Sequence, residues 1–445
     1  MFTLKKRVVI PATALLLSPF PVAAKTFTES LATGKAFVNE RLRYENVDDE
    51  AFDGKAEAMT IRSRVGYETA PFAGFTALIE FEDVHALGGM DTYQLPAPPV
   101  PANTGDAVIA DPEVTELNRA QIRYRGISRL DLIAGRQRIM YDNQRFIGNV
   151  GFRQDEQVFD AFTAAYTGLT DFTFSYAYVD RVYGITDVFD ADMSDNLFNV
   201  SYNGFTWGKF IGYSYYLKSE EDTAAKQLLL NPALRFATNE TVGLRFDGGY
   251  ILPTTVPLRL LYRAEYAEQK VELLNRQDYK TEYNLGELGV AWTFGGGAYA
   301  LTPIIGYELL GADEDRRTGN NNTGLYAFQT PYATKHIFNG WVDQFLVTPN
   351  QGLEDVYLSL GFDLNAWTTK ILFQYHEYES DVESLPLGRT LDLGEETGVQ
   401  VIKTLGANWT LGAKYGDYKQ ADDADVLVSG KKNADKVWVW AELNF

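Results

Sequence analysis

Arginine recurs at alternate positions in several short apolar stretches. ERLRYE (40–45) carries Arg41 and Arg43, IRSRVGYE (61–68) carries Arg62 and Arg64, and NRAQIRYR (118–125) carries Arg119, Arg123 and Arg125. A guanidinium stays charged and presents a planar fork that matches a carboxylate bidentately. Spacing of two places side chains on one face of a β-strand. Adjacent strands with this pattern therefore raise a cationic wall, and rings of arginine around a narrow water path select anions. Arg245, Arg259 and Arg263 repeat the pattern further on, and GRQRIMYDNQRFIGNVGFRQDEQ (135–157) adds Arg136, Arg138, Arg145 and Arg153 beside Asp142, Asp155 and Glu156. These fourteen arginines are expected to line a pore and bind an anionic solute. The competing expectation is that Glu45, Glu68, Glu80, Glu82 and Asp247 neutralise them.

The elements that would position such a wall are strands. Period-2 alternation dominates the chain. Met59, Ile61, Val65 and Tyr67 share one parity against Thr60, Arg62, Arg64 and Glu68; Phe172, Phe174, Tyr176 and Tyr178 alternate with Thr173, Ser175, Ala177 and Val179. Eighteen such segments start near residues 36, 56, 74, 114, 129, 155, 171, 194, 206, 240, 256, 279, 297, 352, 366, 393, 406 and 434. Many run about 9–12 residues, the length of a tilted membrane strand. Links after even segments are short (APFA, GIS, GLTD, NGF, LPTTVP, GGG, NAW, LGA), whereas those after odd segments are mostly longer and more polar, as at 87–113, 139–154, 218–239, 310–351 and 418–433. That parity predicts an all-β transmembrane antiparallel up-and-down barrel of about 18 strands, with short periplasmic turns and long extracellular loops. Lipid offers no hydrogen-bond partners, so the sheet must close on itself. An arginine facing lipid costs about 2–4 kcal/mol at the midplane, which sends these arginines inward.

The alternation breaks at Gly135, where a bulge or strand exit is expected, and the following loop (139–154) is a candidate to fold inward and narrow the pore. The stretch 328–361, with Phe338, Trp341 and Phe345, is too apolar for a loose tip. It either plugs or lines the mouth or lids the outer rim, and the loops 139–154 and 310–351 are candidate gates.

The formal charge of −20 excludes a general nucleic-acid binder. The absence of cysteine excludes disulfides, thiolate chemistry and Cys-bound metals. Residues 1–24 read as a signal peptide, with Lys5, Lys6 and Arg7 before an apolar run and a cut after Ala24; residues 25–445 then form one barrel domain in the outer membrane. An enzyme is not expected. The three histidines, His85, His336 and His376, lie in no nucleophile or H-E-x-x-H motif, and His376 is expected to line the lumen. No cofactor is expected beyond a loop-bound Ca²⁺ at Asp190, Asp192 and Asp195 of DADMSDN, which lack the glycine and final glutamate of a calcium loop. A soluble carbohydrate-binding β protein would leave apolar faces in water.

NERLRYENVD, the run 60–84, the run 135–162 and FQTPYATKHIFNGWVDQFL together resemble the outer-membrane alginate export porins over nearly the whole chain after residue 24. The resemblance implies an 18-stranded monomeric barrel with an arginine-rich pore passing a polyuronate. An exporter would need periplasmic partners. Outer-membrane lipid, the barrel assembly machinery and an anionic saccharide or other carboxylate are the expected partners.

Overall fold

The computed structural model describes residues 26–95, 105–186, 189–221, 234–274, 278–313, 326–384, 388–423 and 431–445. The expected signal segment lies outside the described residues.

Eighteen strands form one closed antiparallel sheet. They are β1 (Lys35–Asp49), β2 (Ala56–Glu68), β3 (Phe75–Thr92), β4 (Val114–Tyr124), β5 (Leu130–Gln137), β6 (Val158–Tyr166), β7 (Phe172–Tyr183), β8 (Ala191–Phe205) and β9 (Gly208–Lys218). The second half is β10 (Thr238–Ile251), β11 (Leu258–Glu272), β12 (Tyr279–Phe294), β13 (Tyr299–Leu310), β14 (Leu353–Leu364), β15 (Thr369–Glu379), β16 (Asp392–Leu405), β17 (Trp409–Lys419) and β18 (Ala434–Asn444). Each strand pairs with its sequence neighbours, and β18 pairs with β1 from Asn39↔Asn444 to Asp49↔Ala434, which leaves no free edge. Every strand begins within three residues of its expected start.

The two parities separate as the chemistry demands. Leu42, Val65, Phe81, Ile122, Leu244, Leu288, Ile305, Leu358 and Val439 are exposed on the outer face. In water that belt would aggregate; against lipid tails it is the stable arrangement. At the short-turn end, Phe205, Trp207, Phe210, Phe246 and Tyr262 run ring to ring across neighbouring strands, an aromatic girdle.

One six-residue helix, α1 (Phe27–Ala32), precedes β1; Thr26 caps it, and Ser30 and Leu31 tie it to the first short turn and to Tyr67. Strand alternation gives no hint of it. Among the described residues no helix is long and apolar enough to cross a membrane.

Inside the barrel lies a core that a simple pore would lack. Ile139, Phe146 and Ile147 from the loop after β5 (138–157, here L3) pack with Phe328, Tyr332, Val342 and Phe345 from the loop after β13 (311–352, here L7). Both loops turn inward and bury apolar side chains against the inner faces of β6 to β17.

Candidate functional site: an arginine wall that grips two in-folded loops

The register makes Arg41 and Arg62 direct cross-strand partners on β1 and β2, with Glu442 of β18 opposite Arg41. Arg41, Arg43, Arg62 and Arg64 all point inward and are buried. Arg62 reaches Asn39 and Glu442, whereas Arg41, Arg43 and Arg64 meet the backbone of L3. Arg41 donates to the Gln154 side chain at 2.9 Å, to the Gly151 carbonyl at 3.1 Å and to the Arg153 carbonyl. Arg43 donates to the Phe152 carbonyl, pairs with Asp111 and lies over the Phe152 ring. Arg64 pairs with Glu82 and reaches the Gln154 carbonyl at 3.4 Å. Consecutive carbonyls from 151 to 154 thus meet a bank of guanidiniums, a strong donor set for a loop that has left its ladder.

L3 returns the grip. Arg153 reaches Glu45 on the wall at 2.9 Å and Asp343 on L7 at 3.1 Å. Gln154 donates to the Thr60 hydroxyl at 2.8 Å, and its own backbone N–H donates to Asp111 at 2.9 Å. Arg138 binds Glu156 and, at 3.2 Å, Glu80. Burial by itself would raise the Glu156 carboxyl, but Arg64 and Arg138 outweigh it and hold it down at about 2. Arg145 crosses to Glu308 on β13 at 2.8 Å and to Asn339 on L7 at 2.9 Å.

L7 is fixed by the same means. Glu396 on β16 accepts from the backbone N–H groups of Trp341 and Val342. Tyr332 donates to the buried Asp195 of β8 at 2.7 Å. His336 sits between Asp343, at 2.8 Å from Nδ1, and Lys414 of β17, at 2.9 Å from Nε2. The described stretch 326–352 of L7 therefore lies inside the barrel and is not a lid on its rim.

The remaining expected arginines fall into three sets. Arg119, Arg123, Arg125, Arg259 and Arg263 carry the inward parity of β4 and β11 and are less buried. Arg119 forks onto Glu80 at 2.7–2.8 Å, and Arg123 and Arg125 share Asp131. A register shift between Glu80 and Phe81 lets Asn118 and Arg119 both turn inward, a bulge the sequence did not mark. Arg263 binds Asp247 at 2.7 Å and also Glu287. Arg245 is buried between Asp247 and Glu265, at 2.9 and 3.0 Å. Neutralisation of the wall is thus extensive.

Arg136 departs from expectation. β5 does not end at Gly135; it runs to Gln137, with Gly135 at φ 112, where an added Cβ would meet the Ala120 carbonyl. Strand parity therefore extends to Arg136, which shares the outward side of Leu132 and Ala134 opposite the exposed Ile122. It pairs there with Asp160 at 3.0 Å and lies 3.5 Å over the Tyr183 ring. Arg136 is not a pore arginine.

DADMSDN is strand from Ala191 onward, with Asp190 just before β8. Asp192 and Asp195 belong to β8: Asp192 pairs with Arg181, whereas Asp195 is buried beneath Tyr332. The three aspartates share no centre. His376 faces inward as expected and meets Asp355 at 2.9 Å. Sequence reasoning missed Asp111, Gln154, His336 and Asp343, whose roles depend on contacts between segments far apart in the chain.

A closed 18-stranded sheet, apolar outside and ionic within, is a transmembrane β-barrel of the outer membrane. No protein-family model and no curated protein matches the sequence. Solved structures share the fold. Acinetobacter baumannii OccAB1 superposes with TM-score 0.65 at 9% identity, over 94% of this chain and 98% of that one. Pseudomonas aeruginosa OccK3 (OpdO) gives 0.64 at 9% identity over 94% and 96%. P. aeruginosa OpdK, in a structure with vanillate, gives 0.65 at 11% identity over 93% and 99%. These are Occ and Opd porins, and they overturn the resemblance to alginate export porins. The quoted runs hold lumen-side arginines, lipid-side apolar residues and loop aromatics packed inside the barrel, a mixture that does not separate one ion-lined barrel family from another.

Proposed function

We propose that this barrel is a diffusion channel for small carboxylated solutes. The observation that carries the reading is the double in-folding of L3 and L7, which fills much of the lumen and argues for small cargo. The charge pattern supports the carboxylate preference. Arg123 and Arg125 converge on the single carboxylate of Asp131, and both are partly accessible. A planar carboxylate entering beside such forks replaces water by charge-assisted hydrogen bonds. Below the loops, Arg263, Gln374 and His376 edge a cavity of about 200 Å³ together with Glu287, Glu308 and Asp355, so its size suits a small solute while its charge is mixed. The vanillate present in the OpdK structure, a small aromatic carboxylate, agrees with this class. The channel acts as a monomer in outer-membrane lipid, delivered by the barrel assembly machinery, and performs no chemistry on what passes.

A second reading is a general diffusion porin with little ion preference. The dense pairing of inward arginines with Glu45, Glu80, Glu82, Asp131, Asp247 and Glu287 favours it. Reversal potentials across a planar bilayer in a salt gradient separate the two: the carboxylate channel passes anions preferentially, the general porin passes both ions alike.

A further inference from the structure

Three carboxylates meet where L3 touches the wall. Glu82 of β3 and Glu116 of β4 are direct cross-strand partners, and Asp155 of L3 comes down on them. One oxygen from each lies within 4.8 Å of the others. Like charges placed directly opposite on a sheet repel, and a third buried acid worsens the repulsion. Glu82 and Asp155 are 1% and 4% exposed. Arg64 engages one oxygen of Glu82, while Glu82 Oε1 and Asp155 Oδ1, both inside the protein, have no hydrogen-bond partner. Buried acceptors are nearly always satisfied, so two orphaned carboxylate oxygens in one cluster call for a ligand.

We infer that Glu82, Glu116 and Asp155 form a Ca²⁺ site that clamps L3 to the barrel wall. The donor set is all carboxylate, with no histidine or cysteine, which suits a hard cation. Ca²⁺ takes oxygens at about 2.3–2.6 Å, so two ligands on opposite sides of the ion stand about 5 Å apart, the span of this cluster. Glu116 is only partly buried, which leaves room for the water ligands Ca²⁺ also takes. The ion would tie β3, β4 and L3 together one residue from Glu156, beside the guanidinium grip on the 151–154 carbonyls. Loop position then depends on divalent cation as well as on arginine. Asp190, Asp192 and Asp195 are not part of this site.

The test is calorimetric titration of CaCl₂ into the full barrel, refolded in detergent free of lipopolysaccharide and stripped with EGTA. One saturable site per chain is expected. Asp155→Asn and Glu116→Gln should each weaken it at least tenfold, and Asp190→Asn should leave it unchanged. Heat-modifiable gel mobility verifies that each variant is folded. If Asp155→Asn fails to fold, Glu116→Gln and the wild-type titration still decide. Absence of saturable binding to the wild-type barrel would overturn the inference, as would binding that neither carboxylate substitution alters. A wild-type barrel that binds no Ca²⁺ but takes up one proton at this cluster would show a shared proton in place of the ion, and equally refute it.

Discussion

His336 of L7 stacks face to face on Phe152 of L3, with ring centroids 4.1 Å apart and planes 8° from parallel. The two in-folded loops therefore form one body. The imidazole's hydrogen bonds fix its form: a carboxylate can only accept and an ammonium can only donate, so neutral His336 donates from Nδ1 to Asp343 and accepts at Nε2 from Lys414. Phe152 also receives Arg43 and Lys414 over its ring, which joins the loop pair to the wall on two sides.

This arrangement sets a pH dependence. His336 is pushed down to about 3, chiefly by burial, with Asp343 opposing and Lys414 reinforcing the shift. A histidine depressed in the docked state gives full docking above its ordinary value near 6.5, and docking is lost as pH falls from there toward 3. Single-channel current should be quiet at pH 7.5 and noisy at pH 4. His336→Gln should remove most of the difference. Equal noise at both pH values would contradict this origin of loop order.

Arg43→Ala leaves Asp111 and the Phe152 carbonyl without their cation. Removing one partner of a buried pair costs about 3–5 kcal/mol. The loss should fall on L3 docking and not on the closed sheet. Heat-modifiable gel mobility should persist while conductance and current noise rise. Arg64→Glu would loosen the same loop, since Arg64 reaches the Gln154 carbonyl and Glu156.

Arg123→Gln with Arg125→Gln removes the partly exposed positive charge around Asp131 without touching L3. The anion-to-cation permeability ratio from reversal potentials should fall about two- to fivefold, equivalent to roughly 0.5–1 kcal/mol for part-exposed charges. An unchanged ratio would favour the general porin.

Asp160→Ala strands Arg136 on the outer face. A loss of about 1–2 kcal/mol is expected in denaturant unfolding from lipid vesicles, below the roughly 2–4 kcal/mol of a midplane arginine because Tyr183 still covers the guanidinium. Arg136→Leu with Asp160→Leu should restore or exceed wild-type stability, since a buried pair exchanged for apolar side chains is often neutral or better.

The barrel itself was legible because its rule is local. Alternation at Met59–Tyr67 or Leu260–Tyr266 reports which side faces lipid, and short turns such as APFA and LGA report which end faces the periplasm. Trp341 and Phe345 correctly marked L7 as packed. Arg136 was misplaced because the break at Gly135 is a change in φ without a change of register, and sequence shows only the glycine. What the arginines do was less legible. Arg41 and Arg43 meet carbonyls about 110 residues away, and a carbonyl leaves no trace in side-chain spacing. Family affinity was the least legible, since the inward arginine rows follow from any polar lumen inside an apolar shell.

A lumen narrowed by two arginine-held loops should admit small carboxylates and exclude longer chains. Swelling of liposomes carrying the refolded barrel tests it most directly, with glucose, glucuronate and a hexameric uronate as isosmotic solutes. Glucose and glucuronate share a ring size and differ chiefly in the carboxylate. Glucuronate entering faster than glucose, with the hexamer excluded, is the predicted result. Hexamer entry at a rate comparable to glucuronate would contradict it.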